Sequence, residues 1–190
     1  MSGLREPPFL LLKKVDMASY PTLGKREATL VGKRPGGVII ESDTHWFLRR
    51  FVPVSMCFAP VLSWRRRRRF ATEAGKATVK SMESFRQCVV FGTSAAMATS
   101  LAYSLGTDVL RLRFKNSDEV VDEALSIAMD PTASRWARTT GALQFVCSTL
   151  SVAAGVTSVP ARVAYGWGIG TVLALPISWS EFDKSLGYMF

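Results

Sequence analysis

Uncharged apolar stretches recur in the second half of the chain. Residues 88–106, 141–160 and 163–180 contain no Asp, Glu, Lys, Arg or His over 19, 20 and 18 positions. A helix needs roughly 20 predominantly apolar residues to cross a bilayer core, which is about 30 Å thick. The pattern therefore predicts three transmembrane helices over these ranges. The segment Pro160-Ala161-Arg162 predicts a tight turn between the last two, which makes them an antiparallel hairpin.

The segment before the first predicted span, residues 46–87, has a mixed pattern typical of a membrane interface. Aromatic residues surround the pair Arg49-Arg50, a combination that suits the headgroup region. Residues 52–64 are apolar, but the stretch is short and two prolines interrupt it. We interpret it as interfacial or re-entrant, with a fourth span as the alternative. Residues 70–87 are predicted to form a helix that runs into the first span.

A polar connection over residues 107–140 carries one short predicted helix. Ser117 can cap its N-terminus, and the helix is expected to continue to about Met129,. Asp118 and Glu119 fall in its first turn, where acidic side chains interact favourably with the helix dipole. The predicted transmembrane bundle is therefore interrupted by a polar helix.

Residues 1–45 predict an extended basic arm, because Pro and Gly punctuate them and few apolar residues recur at helical or strand spacing,. Residues 38–40 are β-branched and predict a short strand. Asp43 or Thr44 is expected to cap a helix that begins near Trp46. The predicted fold is an all-α integral membrane protein of about three transmembrane helices, made of this arm, the interfacial segment and a bundle over residues 88–190.

Charge separates the two halves of the chain. Residues 1–87 carry 17 Lys and Arg against 7 Asp and Glu, whereas residues 88–190 carry 7 against 8. Basic residues flank the cytoplasmic or matrix ends of transmembrane helices, so the N-terminus is expected on that side. The basic excess over the first 36 residues weakly resembles a mitochondrial presequence, although acids and prolines interrupt it. We therefore expect a multi-pass protein of the mitochondrial inner membrane.

Small residues recur at every fourth position within each predicted span. Residues four apart lie on one helical face, and small side chains there let helix backbones approach closely in lipid. These positions are the predicted helix-packing residues, and the partner helix can belong to this chain or to another subunit. They are Gly92, Ala96, Ser100 and Ser104 in the first span, Cys147, Ser151 and Gly155 in the second, and Gly166, Gly170, Ala174 and Ser178 in the third.

Five consecutive arginines precede the first span: Arg65, Arg66, Arg67, Arg68 and Arg69. A run of this kind can bind nucleic acid, but that role is difficult to combine with three spans. It can also bind anionic lipid headgroups, at roughly 1 kcal/mol per basic residue near a membrane surface. We expect contact with anionic phospholipids, with a structural lipid such as cardiolipin as a candidate, and no nucleic acid.

Residue types for catalysis are sparse. The chain has one histidine, His45, and three widely spaced cysteines without a CxxC pair, so the sequence indicates no metal site, catalytic site or bound cofactor,. Ser42, Asp43 and His45 are triad residue types, but adjacency in sequence is not triad geometry. The predicted spans lack ionisable residues, which argues against a pump or an ion-coupled transporter and leaves a passive pore open.

These observations predict a non-catalytic accessory or structural subunit of a large mitochondrial inner-membrane complex. A respiratory chain complex or ATP synthase is the expected host, and its other subunits are the expected partners. A pore or carrier component of a translocase or transporter is the alternative. A membrane-bound enzyme with a site near His45 and Asp43 is a third hypothesis.

Overall fold

The structure is a computed structural model that describes residues 35–69, 74–114 and 117–185. Six helices account for most of these residues, and the described part of the chain contains no strand. The expected all-α class is therefore confirmed. The helices are α1 (Pro35–Cys57), α2 (Ala59–Arg69), α3 (Ala74–Phe114), α4 (Ser117–Met129), α5 (Pro131–Leu150) and α6 (Val159–Ser185).

The start of α1 corrects the prediction for the N-terminal arm. Pro35 is the first residue of α1, a position that suits proline because the first helical N–H groups have no intrahelical partner. Val38 and Ile39, which were expected in a strand, are helical and pack against Val120, Val121 and neighbouring residues of α4. Burial of this apolar face overrides their β-propensity. Residues 1–34 of the predicted arm lie outside the described residues.

The same helix corrects the expected cap. A helix was predicted to begin near Trp46 with Asp43 or Thr44 at its N-terminus, but both residues lie inside α1. The hydroxyl of Thr44 donates to the carbonyl of Ile40 at 2.7 Å, a bond made within a helix and not at its start.

Helix α3 joins two predicted elements into one. It runs without interruption for 41 residues, so the helix predicted before the first span and the span itself are continuous. It also continues to Phe114, beyond the predicted start of the polar connection at residue 107. Within α3, the segment Thr78–Gly106 is long and apolar enough to cross a membrane, judged by length and composition. No other helix in the described ranges meets both criteria.

The turn of the predicted hairpin was placed wrongly. Helix α5 ends at Leu150, a turn occupies residues 151–158, and α6 begins at Val159. The uncharged stretch 141–160 is therefore not one helix. Pro160 stands in the first turn of α6, where the absence of its N–H costs little, and Gly155 supplies the turn with a positive φ of 73°,.

The polar helix of the connection agrees with its prediction. Helix α4 spans Ser117–Met129, which is the range predicted from the cap at Ser117 and the expected end near Met129. Asp130 separates it from α5, which begins at Pro131.

Two compact units organise the described residues. One comprises the described parts of residues 1–45, 99–138 and 178–190, and its apolar core lies between α1 and α4. The other comprises residues 46–98 and 139–177. Leu48, Val52 and Ala96 form its buried cluster, with Trp167 and Val172 of α6 packed against them.

Candidate helix-packing and lipid-facing surfaces

Helices α5 and α6 approach each other closely. A Cβ atom placed on Gly170 would lie 2.5 Å from the nitrogen and 2.6 Å from the Cα of Gln144. A Cβ on Gly166 would overlap the backbone of Ser148. The obstacles are backbone atoms, which cannot move aside as a flexible side chain can, so both positions require glycine. Two of the predicted small residues of α6, Gly166 and Gly170, therefore face α5.

Two further residues were predicted for the same face of α6. Ala174 is fully buried. The side chain of Ser178 lies outside the described residues.

Gly168 gives α6 a second close face, which sequence reasoning missed. A Cβ there would lie 2.7 Å from Cγ1 of Val89 and would overlap the hydroxyl of Thr93, both in α3. The residue falls between Gly166 and Gly170 and outside their four-residue period. The signal for this second face was a glycine at every second position, Gly166, Gly168 and Gly170. Residues two apart in a helix point to different faces.

The predicted small residues of α3 face α1. A Cβ on Gly92 would overlap the side chain of Ser55 and lie 3.2 Å from the carbonyl oxygen of Phe51. Ala96 is fully buried within the cluster of Leu48 and Val52. Small side chains thus lie where the two helices approach.

The other two predicted positions of α3, Ser100 and Ser104, are fully buried and hydrogen-bonded to α1. The hydroxyls of Ser100 and Thr44 are 2.9 Å apart. The hydroxyl of Ser104 donates to the Asp43 carboxylate at 2.8 Å. The fold therefore brings an acidic residue of α1 against a predicted span that has no acidic residue of its own.

The predicted positions of the second span do not form a ridge. Cys147 is half-buried near the end of α5, while Ser151 and Gly155 lie in the following turn. Ser151 is buried, and its hydroxyl donates to the carbonyl of Ser148 at 2.6 Å. Gly155 is exposed and supplies the positive φ of the turn. Because the helix ends at Leu150, the four-residue spacing no longer places the three residues on one face.

Gln144 is a contact residue of α5 that is not among the predicted helix-packing positions. Its side-chain amide donates to the Thr171 hydroxyl of α6 at 3.1 Å, in a buried position. Thr171 in turn donates to the carbonyl of Trp167 at 2.8 Å. Thr140, Gln144 and Ser148 recur every fourth residue, and this polar period was the signal that could have identified the face.

Buried polar groups contrast with a large exposed apolar surface. Thr93, Thr140, Gln144 and Thr171 are almost completely buried. The hydroxyls of Thr93 and Thr140 make no hydrogen bond among the described residues. Large apolar side chains are exposed on the same helices, namely Phe91, Met97, Leu101, Tyr103 and Leu105 on α3, Phe145, Val146 and Leu150 on α5, and Val159, Val163 and Leu173 on α6.

Two arginines hold the turn between α5 and α6. The Arg86 guanidinium of α3 donates from Nη1 to the carbonyl of Ala154 at 2.8 Å and to that of Gly155 at 3.0 Å. Nε of Arg162 donates to the carbonyl of Val156 at 2.9 Å. Carbonyls beyond the end of a helix lack intrahelical partners, and these cationic donors satisfy three of them.

The predicted lipid-contact run begins with an exposed residue. Arg65 is exposed and directly follows Trp64, whose ring is also exposed. The side chains of Arg66, Arg67, Arg68 and Arg69 lie outside the described residues. In α1, the Arg50 guanidinium carbon lies 4.1 Å from the centre of the Trp46 ring, a cation–π contact,.

An apolar groove of about 740 Å³ runs between α1, α2 and α3. Its floor contains small residues of α3 and its walls contain large ones of all three helices. The lining residues are Arg50, Phe51, Val54, Ser55, Phe58, Val61, Leu62, Gln87, Cys88, Phe91, Gly92 and Ala95.

The residues considered for chemistry lie close together in sequence on one helix. Ser42, Asp43 and His45 are neighbours within α1, and Nε2 of His45 lies 4.0 Å from the Glu41 carboxylate. Within the described ranges, no group of three or more His, Cys, Asp or Glu side chains is placed to hold a metal ion.

Comparison with known proteins gives no match, since no family model fits the chain and no curated protein or solved structure is significantly similar to it.

Proposed function

We propose that this chain is a non-catalytic, membrane-embedded structural subunit of a large complex in the mitochondrial inner membrane. The host would be a respiratory chain complex or ATP synthase. The helices of the chain would pack closely with one another and present apolar surface to lipid and to neighbouring subunits. The observation that carries the proposal is an inversion of polarity, because hydroxyls and an amide are buried while large apolar side chains are exposed.

The inversion is strongest on α3. Thr93, Ser100 and Ser104 are fully buried, whereas Phe91 is 72% exposed and Leu101 is 52% exposed. An amphipathic helix of a water-soluble domain places its apolar face toward the core and its polar face toward water. Exposed apolar surface of this extent is unfavourable in water and acceptable in lipid. A lipid environment therefore accounts for both halves of the pattern.

The inversion extends to the hairpin of α5 and α6. Phe145 is 74% exposed and Leu150 is 63% exposed, while Gln144 and Thr171 bond to each other in the interior. Lipid provides no hydrophobic drive between helices, so close glycine contacts and buried hydrogen bonds are the interactions that associate them. The Gly166 and Gly170 contacts with α5 supply the first kind.

Three crossings remain our proposal for the topology, formed by α3, α5 and α6. Helix α5 has 20 residues and is about 30 Å long, so its length matches a bilayer core although its composition is less apolar than that of α3,. Arg135 and Arg138 fall near its N-terminal end, where long side chains can extend toward the headgroups. Arg86 and Arg162 would mark the matrix side, together with the N-terminus.

A pore or carrier component remains the second candidate. Thr93 and Thr140 have buried hydroxyls that make no hydrogen bond among the described residues. Polar groups of this kind inside a helix bundle can line a water-filled path. Ion conductance of the purified chain in planar bilayers, abolished by Thr140→Val, would favour this role over the structural one.

Fractionation of mitochondria that contain the full chain with a C-terminal tag tests the structural role. We expect the chain to resist alkaline carbonate extraction and, in mild detergent, to co-migrate with a large assembly on native gels. Release by carbonate would contradict membrane embedding. Migration of the intact chain alone, as a small monodisperse species, would contradict membership of a complex.

Cysteine labelling tests the crossings in a background without Cys57, Cys88 and Cys147. Introduced cysteines at positions 20 and 157 should be labelled from the matrix side, and one at position 122 from the opposite side. Asp122 and Thr157 are exposed in the structure, so reagent access should not limit the result. Labelling of positions 20 and 122 from one side would contradict an odd number of crossings between them.

A further inference from the structure

We propose that the apolar groove between α1, α2 and α3 is a binding site for one acyl chain of an anionic phospholipid, whose phosphate is held by Arg65. The inference rests on the proposed membrane location and goes beyond it by assigning the lipid to a specific site. The groove has a volume of about 740 Å³, within the range of about 300–1,000 Å³ for small-molecule sites.

The lining of the groove suits an acyl chain. Val54, Phe58 and Val61 form part of its walls and are each more than half exposed when the groove is empty. The floor includes Gly92 and Ala95 of α3, whose small side chains give the groove its depth. The Ser55 hydroxyl donates to the carbonyl of Val52 at 2.7 Å, so it does not need a hydrogen bond from an occupant of the groove.

The dimensions of the groove favour a single hydrocarbon chain. On α3 the groove extends from Gln87 to Ala95, about 12 Å along the axis at 1.5 Å per residue. A helix with its side chains is 10–12 Å across, whereas a single extended hydrocarbon chain is much narrower and can lie within an apolar groove of about 740 Å³.

The two ends of the groove differ in how an arginine is presented. At one end Arg50 contributes to the lining, but its guanidinium lies over the Trp46 ring, so its aliphatic stem is the part left for an apolar ligand. At the other end Leu62 lines the groove, and Arg65 follows one helical turn later on the same face of α2,.

Arg65 is suited to hold the headgroup. Side chains of a helix point toward its N-terminus, which directs Arg65 back toward the end of the groove marked by Leu62. Its guanidinium is exposed and offers the forked donors that match a phosphate. The neighbouring Trp64 ring is 55% exposed, and tryptophan is enriched at the headgroup level. Both residues therefore place this end of the groove at the membrane interface.

Native mass spectrometry of the full chain tests the proposal. The purified chain is reconstituted in vesicles of equal parts phosphatidylglycerol and phosphatidylcholine, recovered in mild detergent, and its retained lipid is counted. We expect one phosphatidylglycerol per chain. Ala95→Phe fills the groove and should lower the lipid-bound fraction about tenfold. Ala98→Phe adds the same bulk to an exposed position of α3 that does not line the groove, and it should retain the lipid.

Three further variants distinguish recognition of the headgroup from binding of the acyl chain and guard against misfolding of a single variant. Arg65→Gln should abolish the preference for phosphatidylglycerol over phosphatidylcholine, and Arg65→Lys should retain it. Val54→Gln changes an exposed wall residue, which α-helical folding does not require to be apolar, and should also weaken retention. Equal lipid retention by the wild type, Ala95→Phe and Val54→Gln would overturn the proposal, as would the absence of bound lipid from the wild type.

A photo-crosslinking residue at position 54, introduced into the chain in its native membrane, identifies the natural occupant. An adduct with the mass of a phospholipid supports the proposal, and a polypeptide adduct overturns it. A chain that resists carbonate extraction but retains no lipid contradicts the groove assignment alone. A chain that carbonate releases contradicts the proposed membrane function itself.

Discussion

At the scale of single residues, glycine controls how closely α5 and α6 approach. Gly166 and Gly170 stand where any side chain would meet the backbone of Ser148 or Gln144. In the proposed lipid environment, this contact would replace the hydrophobic drive that holds helices together in water. Its consequence is sensitivity to bulk at these two positions and tolerance at an open position of the same hairpin such as Gly141.

Gly170→Leu should destabilise the folded chain by about 1–3 kcal/mol or more, because the added side chain forces the helix backbones apart. Gly141→Leu is the matched control, since no atom lies within 4 Å of a Cβ at that α5 position. Leucine also favours a helix more than glycine, so this control should match the wild type or exceed it by about 0.5–1 kcal/mol. Unfolding of the detergent-solubilised chain by SDS, followed by circular dichroism, measures both. Equal destabilisation by the two variants would mean that the close contact is not decisive.

At the scale of elements, the turn after α5 depends on a neighbouring helix. The turn over residues 151–158 contains Gly155 with positive φ, and Arg86 of α3 donates to two of its carbonyls. The hairpin of α5 and α6 is thus fixed to α3 through backbone acceptors. A sequence pattern cannot reveal this dependence, because carbonyl groups are present at every residue.

Arg86→Gln should loosen this turn. Hydrogen bonds to charged groups contribute about 1.5–3 kcal/mol, and since one of the two bonds is exposed we expect a loss of about 1 kcal/mol. Arg86→Lys keeps the charge but replaces the planar guanidinium, whose Nη1 donates to both carbonyls, with an ammonium group, so its stability should be intermediate,. Limited proteolysis in detergent should show faster cleavage within residues 151–158 for Arg86→Gln. Wild-type behaviour of Arg86→Lys would show that charge alone suffices, and unchanged cleavage of Arg86→Gln would contradict the role of the hydrogen bonds.

At the scale of the whole molecule, the structure limits how much of the N-terminal region can act as an arm. Residues 35–45 belong to α1, and Val38 and Ile39 are buried against α4. Residues 1–34 carry 7 Lys and Arg against 3 Asp and Glu. This shorter basic segment remains the candidate for contact with acidic neighbouring subunits or with lipid headgroups.

Deletion of residues 2–34 should leave the chain inserted and as stable as the wild type, while weakening its retention in the assembly. Deletion of residues 2–40 should in addition destabilise the fold, because it removes the buried Val38 and Ile39. Native gels report retention, and SDS unfolding reports stability. High salt should weaken retention of the wild type if exposed ion pairs hold the arm, since screening is strong beyond about 8 Å at physiological ionic strength. Full retention of the shorter deletion at every salt concentration would show that the helices alone hold the chain.

The periodicity of the sequence was sufficient to predict the elements that depend on local patterns. The all-α class and the range of α4 follow from apolar spacing and the cap at Ser117, which are properties of neighbouring residues. The small-residue spacing also selected Gly92, Gly166 and Gly170, which lie at close helix contacts in the structure. Membrane insertion and the three crossings stay predictions, since they depend on an environment outside the chain.

Tertiary structure decided what local patterns leave open. It made Val38 and Ile39 helical, because α4 offers an apolar surface that outweighs β-propensity,. It ended α5 at Leu150, because Gly155 and the Arg86 guanidinium stabilise a turn that hydropathy does not mark. It also joined Asp43 to Ser104, and Gln144 to Thr171. The sequence by itself determined the all-α class and the extent of α4; the ends of the other helices and the partners of each helix face required the fold, because such contacts join residues far apart in the chain.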